Sequence, residues 1–162
     1  MELSQLDAPW MQKVGRKAGG VNLSWLPVAQ LCGGRFLLGV TSRGEWARST
    51  GSVIQTVDEE AGYVFFLPLL EGLPEIVRCK MIDGLKAHGI SELFIDLFPF
   101  EKVVVAGLRS QSEYWSSLAL KWVLFIPRTD SLEAELEVLS KSGETQRIRH
   151  SARKIAKQLK VL

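Results

Sequence analysis

Chemistry needs reactive side chains within reach of one another, and this sequence offers few. It has two histidines, His88 and His150, and two cysteines, Cys32 and Cys79. No HExxH, cysteine pair or His/Asp cluster has metal-ligand spacing. No Gly-x-Ser-x-Gly elbow presents a serine nucleophile. Cys79 and His150 are the one thiol–imidazole combination to weigh, and nothing local joins them. Carboxylates come in two sets, Asp58/Glu59/Glu60 and Glu133/Glu135/Glu137. The first suits a helix start, where the helix dipole favours negative charge. The second suits a solvated helix face. There Glu133 and Glu137, at i and i+4, repel by roughly 0.2–0.5 kcal/mol and so favour a basic partner. This pattern predicts no catalytic residue, no metal and no cofactor.

The densest charge lies at the other end of the scale. Between Glu144 and Leu162 stand six Arg or Lys and a single acid. Arg149, Arg153, Lys157 and Lys160 run along one stripe of the helix expected there. Several phosphate contacts from such a stripe would give salt-sensitive nucleic-acid binding. No aromatic residue lies among them to stack on bases. The expected binding residues are therefore Glu133, Glu137, Arg149 and Arg153 for a protein partner. The alternative is nucleic acid on Arg149, Arg153, Lys157 and Lys160.

The elements that must position these residues are legible mainly after residue 57. Asp58 and the two glutamates behind it read as a helix start. Pro74 suits the first position of a helix carrying Val77, Met81, Leu85 and His88 on one stripe. Gly89, followed by Ile90, suits the end of that helix. Ser91 to Phe98 reads as a strand or a short helix. Pro99 reads as a start for Phe100–Leu108, though Val103-Val104-Val105 leaves a strand open. Ser110 and Glu113 have capping-box spacing. They precede Trp115, Leu118, Ala119, Trp122, Phe125 and Ile126 on one helical face, which Pro127 ends. Asp130 and Glu133 repeat the box, with Leu132, Leu136 and Leu139 as stripe. Ile148, Ala152, Ile155, Leu159 and Leu162 form the last stripe.

Residues 21–57 leave two readings open. Arg35–Thr41 and Ser52–Val57 make a two-stranded hairpin with a loop through Arg43-Gly44-Glu45-Trp46. Alternatively, Leu26–Leu38 is a helix broken at Gly33-Gly34. Gly15-Arg16-Lys17-Ala18-Gly19-Gly20 reads as a loop. It lacks the Gly-Lys-Ser/Thr ending of a phosphate loop.

Bulk properties fit one domain. The chain has 162 residues, 46% hydrophobic and 23% charged, with net charge +2. That balance excludes wholesale disorder, and the small net charge does not by itself call for a polyanion. Two cysteines make no disulfide framework, and both are expected reduced and buried. The start shows no signal-peptide pattern, and no apolar run reaches the ~18 residues that span a bilayer. The location expected is cytoplasmic, with no membrane partner.

Two runs carry a resemblance. Tyr114-Trp115-Ser116-Ser117-Leu118-Ala119-Leu120-Lys121-Trp122 is similar to a YW-x-x-LAL-x-W helix of small bacterial proteins with HEAT-like helical build. Gln146 to Lys154 resembles the closing helix of the same type. The resemblance covers roughly residues 99–160. It implies a protein partner, a toxin that such immunity proteins neutralise by covering it. The fold expected is mainly α, with antiparallel helix pairs of HEAT-like, α-solenoid type and a short β-hairpin within residues 35–57. One domain spans 1–162, with 1–20 flexible and 58–162 as helical core. The expected function is non-enzymatic protein binding. The alternatives are a nucleic-acid-binding helical domain and an enzyme whose site lies unseen in residues 21–57.

Overall fold

A computed structural model of the chain describes residues 2–16, 20–57 and 60–160. The chain divides into two compact units, Met1–Pro99 and Phe100–Leu162. Asp58 and Glu59 of the expected helix start, Lys17-Ala18-Gly19 of the basic loop, and Leu162 of the last stripe lie outside the described residues.

The first unit overturns the mainly α expectation. Five strands form a closed barrel in the order of the sequence. They are β1 (Met11–Gly15), β2 (Asn22–Leu31), β3 (Phe36–Thr41), β4 (Trp46–Thr50) and β5 (Val53–Thr56). Successive strands pair antiparallel. With an odd number of strands the first and last point the same way, so closure between β1 and β5 is parallel, with Val14 opposite Val53 and Gly15 opposite Ile54. The fold is α+β, not a HEAT-like solenoid with a hairpin. The two expected strands exist, but β4 lies between them, so they do not form the hairpin. The helix over Leu26–Leu38 is not formed.

The physical reason lies in burial on both faces of the sheet. An alternating pattern marks a strand only when one face is wet. Here Trp25, Leu26, Val28, Ala29 and Leu31 of β2 are all buried. Trp25, Ala47 and Ile54 form one cluster, with Leu23 and Leu37 packed against it. Gly39 makes room for it, because a Cβ there would come 2.6 Å from the Trp25 indole. The opposite face meets helical segments. Trp46 packs against Phe94 and Phe98 at ring-centroid distances of 5.6 and 5.5 Å. Phe36 meets Phe66 edge-on at 6.1 Å.

Those segments are a 3-10 run Glu60–Glu71, helix α1 (Pro74–Ala87) and a 3-10 turn Glu92–Leu97. Pro74 opens α1 as expected, and Val77, Met81 and Leu85 are buried. Gly89, at φ 71°, ends it. The Gly89 N–H donates to Lys86 O and the Ile90 N–H to Leu85 O, the paired bonds of a Schellman motif.

The second unit holds α2 (Phe100–Leu108), α3 (Glu113–Trp122), α4 (Asp130–Ser142) and α5 (Gln146–Leu159). The valine run is helical and buried within α2. Helix α3 starts later than the box predicted. Its N-cap is Ser112, which makes no side-chain cap bond, and Gln111 before it has φ 52°. The end is earlier too: a 3-10 turn, Val123–Phe125, follows Trp122 and leaves Phe125 54% exposed rather than on the core face. Leu132, Leu136 and Leu139 of α4 and Ile148, Ala152 and Leu159 of α5 are buried, as their spacing predicts.

Candidate functional site

The C-terminal pair α4–α5 brings most of the expected binding residues together. Each helix opens on a threonine. Thr129 Oγ1 accepts from Leu132 N and Thr145 Oγ1 from Ile148 N. So the α4 cap is Thr129, not Asp130, which instead stands in the first turn beside Glu133. Gly143 turns the chain between the helices, its N–H donating to Leu139 O.

Three arginines brace this hairpin by donating to carbonyls that helix ends leave open. Arg149 Nη1 donates to Gly143 O at 2.6 Å, and Arg153 Nε to Ser140 O at 3.1 Å. At the far end, Arg128 Nη1 donates to Leu159 O at 2.9 Å. These bonds run from the start of α5 to the end of α4 and from the start of α4 to the end of α5, so the helices are antiparallel.

A groove of about 580 Å³ runs between them. Asp130, Glu133 and Glu137 stand on the α4 wall, and Arg153, Lys157 and Lys160 on the α5 wall. Ala134 and Ala156 supply accessible apolar surface between the walls, whereas Leu136 and Leu159 line it as buried side chains. Arg149 does not line the groove; its guanidinium is spent on Gly143. Glu133 pairs with Arg128, and Glu137 with Lys141 at 2.6 Å. The Arg128 hydrogen bond holds the Glu133 carboxyl below its ordinary range, and the Lys141 bond does the same for Glu137. From the sequence, Asp130 reads only as a helix start and Arg128 is not singled out. The signal for them was available: both sit one residue from the Thr129 cap.

The reactive residues of the barrel unit have structural duties. The His88 imidazole Nε2 lies 2.9 Å from Pro27 O, at the bulge where the β2–β3 register shifts. Cys32 Sγ donates to Pro68 O at 2.8 Å, and Arg48 Nη1 donates to Phe65 O. Arg35 reaches Glu71 at 3.5 Å. Together they pin the 60–71 segment to the barrel. Burial, then the Glu71 carboxylate, pushes the Cys32 thiol up. Cys32 is half-buried and Cys79 is exposed, so the expectation that both are buried fails. His150 is exposed on α5. Among the described residues no group of three or more His, Cys, Asp or Glu could hold a metal ion, and no helix is long and apolar enough to cross a membrane.

No protein-family model, no curated protein and no solved structure matches this chain. Nothing among them supports the toxin-neutralising kinship that the α3 and α5 runs imply, and the barrel contradicts its HEAT-like architecture.

Proposed function

We propose that this chain is a protein-binding protein without catalytic activity and that the α4–α5 groove is its binding face. One observation carries this reading: a groove lined by apolar, acidic and basic side chains together, built from residues on facing helices. A protein segment offers apolar, acidic and basic side chains together, and such a groove can match all three. Interfaces of this kind gain affinity from the apolar centre and specificity from the charged rim.

The nucleic-acid alternative is weaker on the same geometry. Arg149 and Arg153 are committed to carbonyls of α4, which removes half of the expected phosphate contacts. The α4 carboxylates beside the remaining lysines repel a phosphate backbone.

The test is capture from the source cell's lysate on wild-type chain and two charge-reversed pairs, with and without nuclease. The pairs are Glu133→Lys with Glu137→Lys, and Lys157→Glu with Lys160→Glu. Circular dichroism checks that each variant is folded. The expected result is a protein retained in both nuclease arms and released by at least one reversal. The same retained set on all three chains, or retention that nuclease abolishes, overturns the proposal.

A further inference from the structure

The two walls of the groove are not equally satisfied. On the α4 wall, Glu133 is paired with Arg128 and Glu137 with Lys141, and Asp130 alone joins no ion pair among the described residues. On the α5 wall, Arg153 gives its Nε to Ser140 O, but Lys157 and Lys160 join no ion pair among the described residues. The field of Lys160 reaches Glu133 and Glu137, yet each glutamate has a nearer basic partner. The surplus continues beyond the groove. Residues 100–162 carry eleven Lys or Arg against seven Asp or Glu, whereas residues 1–99 carry nine against eleven. The charge left seeking a partner at this groove is therefore positive.

We propose that the occupant is an acidic peptide: a short extended segment in which Asp or Glu alternates with apolar residues. This rests on the reading of the groove as a protein-binding face and names the class of partner. Spacing supports it. Lys157 and Lys160 follow at i and i+3, so the two uncommitted cations lie about 5–6 Å apart at Cβ. Alternate side chains of an extended peptide lie about 6.6 Å apart and share one face. Carboxylates at i and i+2 of the peptide thus meet the two lysines in turn, while the intervening side chain turns toward Ala134 and Ala156. The volume, about 580 Å³, lies in the range of sites that enclose a ligand of a few residues. Duplex DNA fits less well. Its backbone carries a charge for each ~1.7 Å of axis and lays phosphates over Glu133 and Glu137 as well as over the lysines.

The experiment is fluorescence anisotropy with four labelled probes at low and physiological salt. The probes are a capped Glu-Leu-Glu-Val-Glu peptide, its Lys-for-Glu counterpart, its Ser-for-Leu/Val counterpart, and a DNA duplex of about one turn. Each is titrated with the full wild-type chain, Lys157→Glu/Lys160→Glu and Glu133→Gln/Glu137→Gln. The acidic apolar peptide is expected to bind wild type best, to lose at least tenfold in the lysine reversal, and to hold or gain in the glutamine pair. Replacing its apolar residues by serine is expected to weaken it several-fold. Preference for the basic peptide, for the duplex or for none of the probes overturns the inference, as does indifference to the lysine reversal. If the acidic peptide fails while a charge reversal still releases the captured protein, the binding face stands and its acidic occupant falls. If both fail, the face itself is wrong.

Discussion

Replacing Gly84 by alanine is expected to reverse the usual sign of a helix substitution. Gly84 lies inside α1, where Gly→Ala ordinarily stabilises by about 0.8–1.0 kcal/mol. Here the added methyl would overlap the Val28 carbonyl oxygen and come 2.7 Å from the Val28 carbonyl carbon and 3.0 Å from its Cγ1. The obstacle is backbone of β2, which cannot turn aside as a side chain would. Helix α1 must therefore lift from the barrel, loosening the contact of His88 with Pro27 O one turn later. Overpacking of this kind costs about 1–3 kcal/mol, and backbone clash puts the cost at or beyond the upper end. After the propensity gain the net loss is about 2 kcal/mol, or of the order of 10 °C in Tm for a unit of this size. Urea unfolding followed by circular dichroism and tryptophan fluorescence measures it. Asp83→Ala, at the exposed neighbouring position, is the control and is expected within about ±0.5 kcal/mol of wild type. A Gly84→Ala midpoint at or above wild type would refute the close approach of α1 to β2.

Five further expectations follow from the same structure. Thr129→Ala and Thr145→Ala each remove a cap bond and are expected to cost about 1 kcal/mol. Ser112→Ala removes none and is expected near neutral; equal costs in all three would contradict the cap assignment. Arg149→Ala strips the Gly143 carbonyl of a charged donor and is expected to cost about 1.5–3 kcal/mol, whereas Lys157→Ala stays within about ±0.5 kcal/mol; urea midpoints in the reverse order would make Arg149 a surface residue. Exposed Cys79 is expected to react with iodoacetamide before Cys32, as mass spectrometry of timed samples would show. Because folding raises the Cys32 pKa, its contribution to stability is complete below the unfolded thiol's value near ~8.5 and is lost as pH rises through the folded value. The wild-type urea midpoint is therefore expected to fall at alkaline pH more steeply than that of Cys32→Ala. For Glu133 and Glu137 the sign is opposite. Their lowered carboxyls favour the fold above the ordinary glutamate value near ~4.3, and that contribution fades as pH falls through the folded values. Carbon-detected NMR titration is expected to return Glu133 upward in Arg128→Gln and leave Glu137 in place.

What the sequence showed and hid divides along the physics of burial. Helices α1, α4 and α5 each bury one stripe and leave the rest wet, so their apolar residues recur at helical spacing. Pro74, Gly89, the α4 leucines and the α5 stripe from Ile148 were sufficient to find them. Strands β2 and β3 bury residues on both faces, so Trp25 and Leu26 stand side by side and no alternation survives. Two interior positions that make room for Trp25 are Gly39 and Ala47, residues with weak strand preference. Strand β4 was hidden further by Arg48, a charge whose guanidinium lies 5.0 Å from the Phe36 ring and bonds Phe65 O. The offset at α3 has a local cause: Gln111 adopts a left-handed conformation, so a helix cannot begin at Ser110 and resets at Ser112.

The basic stripe of α5 shows why spacing alone separates neither structure from function nor one partner from another. Arg149, Arg153, Lys157 and Lys160 have the same periodicity, and the sequence gives no ground for treating them differently. The antiparallel neighbour supplies that ground. The first half of α5 lies beside the C-terminal end of α4, whose last carbonyls lack helical partners, and there Arg149 and Arg153 are consumed. The second half lies beside the N-terminal turn of α4. Amide groups are in surplus at that end, Glu133 there answers to Arg128, and Glu137 further along answers to Lys141. Lys157 and Lys160 therefore join no ion pair among the described residues. A cation's place along the helix, set by the direction of the helix beside it, decides whether it holds the fold or stays uncommitted.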